Sequence, residues 1–205
     1  MNTDLRQDLS QTIQGIHARF WATGTGGNFS VVSQREPLRL LMAPSGVDKG
    51  SVQPAHLIEV DNQGRVVAGQ GRVSAETQLH LQIVQSVKAG AVLHTHSIFN
   101  TLLSEYYQSN QSLTLIGYEM LKGLEGIQTH QGAITVPILA NSQDIVALSQ
   151  MVGVILAEKP DTYGILLAGH GLYTWGKTLF EARRHLEILE FLLELTYRKL
   201  TLPPL

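Results

Sequence analysis

The sequence predicts a mixed α/β fold, and three observations carry the prediction. Apolar residues near the N-terminus recur at helical intervals, short β-branched segments separated by turn residues follow, and the second half alternates helical with strand-like stretches. A chain of 205 residues with 43% hydrophobic content can bury a substantial core. No internal repeat or low-complexity linker interrupts it, so residues 1–205 are read as one domain.

The elements follow in order. Leu5, Leu9, Ile13, Ile16 and Phe20 define an amphipathic helix over residues 3–21, and a glycine-rich turn stops it. "NFSVVS", "LRLLMAPSG", "LIEVD" and "RVVAG" read as a meander of short strands, with Asn62-Gln63-Gly64 as a hairpin turn. In "SAETQLHLQIVQSVKAG" the period becomes helical: Leu79, Ile83, Val84 and Val87 share a face, Ser74 is the expected cap and Gly90 the expected stop. "GAVLHTHS" is the next strand. A short helix ("IFNTLLSEYY"), a strand ("SLTLIG"), a glycine-bearing loop ("YEMLKGLEG"), a strand ("AITVPIL") and a helix with Asn141 and Asp144 as capping pair come after it. The end is a strand with a turn, "YGILLAGHGLYTWG", and a helix of about 20 residues from Thr178, apolar on more than one face, which suits burial on a sheet or against a second subunit.

Composition excludes several function classes. Fifteen basic against seventeen acidic residues give neither a nucleic-acid footprint nor a polybasic membrane signal, so the expected partner is a small molecule. Cysteine is absent, which removes disulfides, thiolate metal sites and cysteine nucleophiles; a metal must be held by His, Asp or Glu. The N-terminus lacks a signal-peptide core and no run of 18 apolar residues occurs, so a cytoplasmic protein is expected.

His94 and His96 stand one residue apart at the end of a strand, where alternation puts Val92, His94 and His96 on one face. The spacing suits a metal chelate and also arises by chance. His170 follows the apolar strand "GILLA" and is flanked by glycines; three imidazoles at strand ends would leave a fourth coordination position open, the pattern of a catalytic zinc site. His17, His80 and His185 fall within helical patterns and His56 and His130 within loops, where structural or surface roles are the expectation.

"GTGGNFS" is either an anion-binding nest or a helix-to-strand turn, and a dinucleotide fingerprint is excluded because a helix precedes and a strand follows. "MAPSGVDKG" and "RVSAE" are further turns able to offer hydroxyls and N–H groups to a phosphate, although Ser45-Gly46 also serves simply to turn the chain and Ser74 simply to cap a helix. Lys49 and Lys122 are either aids to the anion or solvated cations. Two carboxylates, Glu76 in a first helical turn and Glu119 after a strand, are candidate proton shuttles; the alternatives are a dipole partner and a surface acid.

Taken in order, "GTGGNFS", "PSGVDKG", "SAET", "HTH" and "GHGL" resemble the successive signatures of the class II aldolase and adducin family along nearly the whole chain. Within it, "YEMLKGLEG" resembles the segment typical of methylthioribulose-1-phosphate dehydratases, zinc enzymes of methionine salvage. The resemblance implies a three-layer α/β/α sandwich with a mainly antiparallel central sheet, and a homotetramer with sites at subunit interfaces. It implies that His94, His96 and His170 hold one Zn2+ per subunit, that Gly27, Asn28, Ser45, Gly46 and Ser74 hold the phosphate of a small sugar phosphate, and that Glu119 is the catalytic acid/base. Glu76 is ambiguous: it matches the proton-transferring acid of sugar-phosphate aldolases, whereas in some dehydratases other residue types stand there and contact substrate. Two rivals follow, an aldolase or epimerase using Glu76, and a non-catalytic assembly module of adducin type.

Overall fold

The computed structural model describes residues 3–203. Helix α1 (Thr3–Ala18) leads into strands β1 (Asn28–Gln34), β2 (Arg39–Met42), β3 (Ile58–Asp61) and β4 (Val66–Ala68), then α2 (Thr77–Val87), β5 (Ala91–Thr95) and α3 (Ile98–Tyr106). Strands β6 (Ser112–Ile116) and β7 (Ala133–Leu139), helix α4 (Ile145–Glu158), the hairpin β8 (Gly164–Leu167) and β9 (Gly171–Gly176), and the long helix α5 (Leu179–Thr201) complete it. The strands form one sheet in the order β4-β3-β2-β1-β5-β9-β8-β7-β6. Only β7 and β8 run parallel, so the sheet is mainly antiparallel, as expected.

Strand alternation divides the core into two layers. Ala91 and Leu93 of β5 point to the face covered by α1, α3 and α5, where Leu9, Ile13, Leu103, Leu186, Leu189 and Leu193 pack. Val92, between them, points to the face covered by α2 and α4, with Leu79, Ile83, Leu148 and Val152. The three-layer α/β/α sandwich follows directly. Among the described residues, no helix is long and apolar enough to cross a membrane.

Several local expectations are corrected. Helix α1 ends at Ala18 rather than 21, because Phe20 adopts φ 61° and the Trp21 N–H turns back to Ile16 O. Helix α2 starts at Thr77 with Glu76 as its N-cap residue; Ser74 lies just before it, its Oγ accepting from the Glu76 N–H at 3.2 Å. That helix ends on Lys88 in left-handed conformation (φ 54°), not on Gly90. Gly90 is needed for a close approach instead: a Cβ there would lie 2.1 Å from Lys177 O. Asp144 alone caps α4, accepting from the Ala147 N–H at 3.0 Å, and Asn141 takes no part. The expected loop "YEMLKGLEG" contains a 3-10 turn over Glu119–Gly123 that buries Leu121.

Candidate metal centre

The three histidines singled out in the sequence meet at the middle of the sheet. His94, fully buried in β5, pairs across the ladder with Tyr173 of β9, and the two rings stack at 3.8 Å with 10° between planes. Its Nδ1 lies 2.9 Å from Leu172 O. A carbonyl only accepts, so Nδ1 carries the proton and Nε2 presents a lone pair. His96 lies one residue beyond the strand, its backbone N–H donating to Trp21 O at 2.8 Å. His170 sits in the β8–β9 turn, and Thr101 Oγ1 donates to its carbonyl at 3.1 Å.

His94 Nε2 lies 2.7 Å from His96 Nε2 and 3.3 Å from His170 Nε2. A zinc ion bound at about 2.0–2.1 Å by tetrahedrally disposed nitrogens separates them by about 3.3 Å. The His94–His170 distance matches this, the His94–His96 distance is shorter, and the three ligand atoms all lie within 4.8 Å of one another, close enough to share a divalent cation. Protonation cannot substitute for one easily. Burial pushes His94 well below its ordinary pKa and lowers His96 as well, keeping these rings neutral, the form that ligates metal.

Glycines make room for this convergence. A Cβ on Gly26 would lie 2.9 Å from His96 Nδ1, and one on Gly27 2.9 Å from His94 O, where φ is already +78°. At Gly171 a Cβ would stand 2.2 Å from Thr95 O and 3.0 Å from both the His94 and His96 rings. These positions exclude any side chain.

Glu76 borders the same space. Its Oε1 lies 3.1 Å from His170 Nε2 and its Oε2 3.7 Å from His94 Nε2, and Asn28, the β1 partner of His94, donates its side-chain amide to Oε2. Burial raises the Glu76 pKa, but the His170 hydrogen bond and the neighbouring imidazoles outweigh it and hold the carboxyl at about 2. This explains why Glu76 makes no cap bond to its own helix: its carboxylate is turned into the site.

The three expected phosphate turns are tied together around the trio. Lys49 is 2% exposed, so the solvated reading fails; its Nζ donates to Thr25 O at 2.9 Å and Val47 O at 3.1 Å, joining "GTGGN" to "PSGVDKG". Ser45 N donates to Arg72 O at 2.8 Å, setting Ser45-Gly46 beside the segment that leads to Ser74. Ser45 and Gly46 are exposed, and Asn28 and Ser74 half-buried.

Glu119 is not brought to the trio within one chain. It follows β6, the outer strand three places from β9, on the order of 14 Å across the ladder. There it is exposed, pairing with Lys122 Nζ at 2.6 Å and His130 Nδ1 at 3.4 Å. Its pKa is lowered, chiefly by the Lys122 hydrogen bond.

The fold and the histidine cluster together point to one group of proteins, and comparison decides it. Residues 7–197 match the Class II Aldolase and Adducin N-terminal domain. The chain belongs to the class II aldolase and adducin family. A methylthioribulose-1-phosphate dehydratase from Pseudoalteromonas translucida is 42% identical over 90% of this chain and 87% of its own length. The enzyme of the same name from Pectobacterium atrosepticum is 43% identical over 92% of each chain. Among solved structures, L-fuculose-1-phosphate aldolase from Thermus thermophilus superposes with a TM-score of 0.74 at 25% identity, over 98% of this chain and 97% of its own. The family framework accounts for the shared sheet.

Some residues around the centre were not singled out in the sequence. Gly171 and Tyr173 stand in the quoted "GHGLYTWG", but their roles depend on cross-strand neighbours some 80 positions away. Glu190 is the larger omission. It is 2% exposed, accepts hydrogen bonds from Thr95, Ser97 and Asn100, and burial raises its pKa to about 7. The available signal was positional: Glu190 lies four residues after Leu186 and three before Leu193, on the apolar stripe of α5.

Proposed function

We propose that the chain is a zinc-dependent dehydratase converting 5-methylthioribulose 1-phosphate to 2,3-diketo-5-methylthiopentyl 1-phosphate in methionine salvage, active as a homotetramer in the cytoplasm. The observation that carries this reading is the convergence of the Nε2 atoms of His94, His96 and His170 in a chain over 40% identical to dehydratases of that name. A divalent metal held there would supply Lewis-acid polarisation of the substrate's C2 carbonyl.

The chain's own residues do the rest. The turns at Gly27-Asn28, Ser45-Gly46 and Ser74 bind the phosphate through backbone N–H groups and hydroxyls, and this remote binding energy holds C3 in place. Glu119 takes the proton from C3, and a proton delivered to the C4 hydroxyl lets it depart as water. The C3 enol then ketonises to the diketone. Because Glu119 and the trio lie apart within one chain, Glu119 acts on the site of a neighbouring copy. Exposed apolar residues flank both halves and support such an interface: Ile98, Leu102 and Tyr106 on α3, and Ile116 and Met120 beside Glu119.

One observation favours a second reading. Glu76 lies against His170 and His94, where it could serve as acid/base for aldol cleavage or epimerisation of another ketose phosphate. A substrate panel separates the two: methylthioribulose, fuculose, rhamnulose and ribulose phosphates assayed with wild type, E76Q and E119Q, products identified by mass spectrometry. Water loss from the methylthio substrate alone, abolished by E119Q, is the expected result; cleavage of another ketose phosphate with full activity in E119Q would replace it with the aldolase reading. The converging trio argues against a purely assembly role, and metal analysis of protein purified without added zinc tests that point.

A further inference from the structure

We propose that Glu190 is a positioning residue of the metal centre: from α5 it fixes, through Thr95, Ser97 and Asn100, the segment that carries His94 and His96. The inference rests on the reading of the three histidines as metal ligands.

Three donors from one short segment converge on this carboxylate. Thr95 Oγ1 donates to Oε1 at 2.6 Å, Ser97 Oγ to Oε2 at 2.6 Å, and the Asn100 side-chain amide to Oε1 at 2.9 Å. No salt bridge to Glu190 occurs among the described residues. A carboxylate buried without a cation is costly, and its neighbours on the stripe, Leu186, Leu189 and Leu193, show that this face of α5 otherwise asks for hydrocarbon. The acid is there for its hydrogen bonds.

Strand alternation explains where those bonds act. Thr95 separates the two ligands of the β5 segment and points to the α5 side of the sheet, while His94 points to the opposite side with Tyr173. Holding the Thr95 side chain therefore fixes the backbone between His94 and His96 from behind. Ser97, the residue after His96, also accepts from the Asn100 N–H at 3.1 Å and so caps α3. The same helix reaches the third ligand: Thr101 Oγ1 donates to His170 O, and Ser104 Oγ accepts from the Gly169 N–H, both at 3.1 Å. One carboxylate thus anchors the helix turn that ties both ligand-bearing segments together. Partners bonded directly to a ligand are worth about 10–100-fold in metal affinity, and Glu190 acts one residue further out.

The test measures zinc affinity of the full chain by competition with a chromophoric chelator, alongside the thermal midpoint of the metal-free protein. E190Q is expected to weaken zinc binding up to about 10-fold, the low end for groups bonded directly to ligands. T95V and S97A are expected each to reproduce part of that loss, and T95V combined with E190Q to be less than additive, as for members of one network. H185Q is the control: His185 is buried on the same helix and bonds Trp175 O and the Glu125 N–H, so its loss lowers the metal-free midpoint without touching zinc affinity. A lowered midpoint with unchanged zinc affinity in E190Q overturns the proposal. Should E190Q fail to fold, unchanged affinity in both T95V and S97A overturns it equally. A wild-type chain that binds no zinc overturns the metal-centre reading and this inference together, whereas tight wild-type binding that all three variants retain removes Glu190 alone.

Discussion

A carboxylate meets a histidine both at the centre of the sheet and beside its β6 edge. Glu76 lies 3.1 Å from His170 with a side chain 15% exposed, whereas Glu119 lies 3.4 Å from His130 with a side chain 70% exposed. At the centre, the Asn28 amide and two histidines surround the acid, and glycines that admit no Cβ pack against the histidine-bearing segment. At the edge, Glu119 shares its charge only with its exposed neighbours Lys122 and His130, and water screens the pairs. The difference teaches that one chain closes a histidine cluster that could hold a metal at its centre and leaves the acid at its edge open. What is locked needs no partner, and what is open is free to meet one.

The largest expected effect comes from breaking the centre. H96A removes one of the three proposed ligands and should abolish metal retention and turnover together, read by elemental analysis and assay. E119Q breaks the edge instead: metal content and melting temperature should stay as in wild type, while turnover falls about 10²–10⁴-fold, the usual worth of a general acid/base. The comparison is sharpened by mixing. Hybrids of H96A and E119Q subunits regain activity where Glu119 serves a neighbouring copy, and stay inactive where it serves its own chain.

A smaller effect is expected from G171A, whose methyl group would collide with Thr95 O and crowd the His94 and His96 rings. Overpacking of this sort costs about 1–3 kcal/mol, so the melting temperature should drop along with zinc affinity. The smallest effects are pH-dependent and belong to the metal-free protein. His80, bonded to Ser30 at 2.8 Å, is lowered by burial from 6.5 to about 4. The unfolded chain therefore takes up this proton first, and stability is lost as pH falls from 6.5 towards 4. H80Q should flatten that limb in denaturant titrations. Glu190 has the opposite sign: raised from 4.5 to about 7, it contributes stability that is lost as pH rises through that range, so the deficit of E190Q should shrink toward neutral pH.

Much of the centre was legible because its signals are local. The β-period puts Val92 and His94 on one face, and glycines flanking His170 mark a turn that must pass close to something. The meander, the hairpin at Gly64 and the Thr178 start of α5 follow from turn and cap chemistry. What could not be read depends on distant partners. Ser74 has the chemistry of a cap, yet Glu76 takes the N-cap position, and its carboxylate is turned to Asn28 rather than to its own helix. Glu190 reads as one acid among several on a long helix until its partners, 90 or more positions earlier, are in place. Glu119 lies at the surface of a single chain, and no local pattern ties it to the histidine cluster.

The most direct test titrates metal-stripped protein with zinc while recording dehydration of 5-methylthioribulose 1-phosphate. Activity that is negligible without metal and rises in proportion to zinc up to one equivalent per chain, with no response in H96A, is the predicted result. Full dehydration by the stripped protein, or an H96A variant that responds like wild type, would contradict a catalytic centre built on His94, His96 and His170.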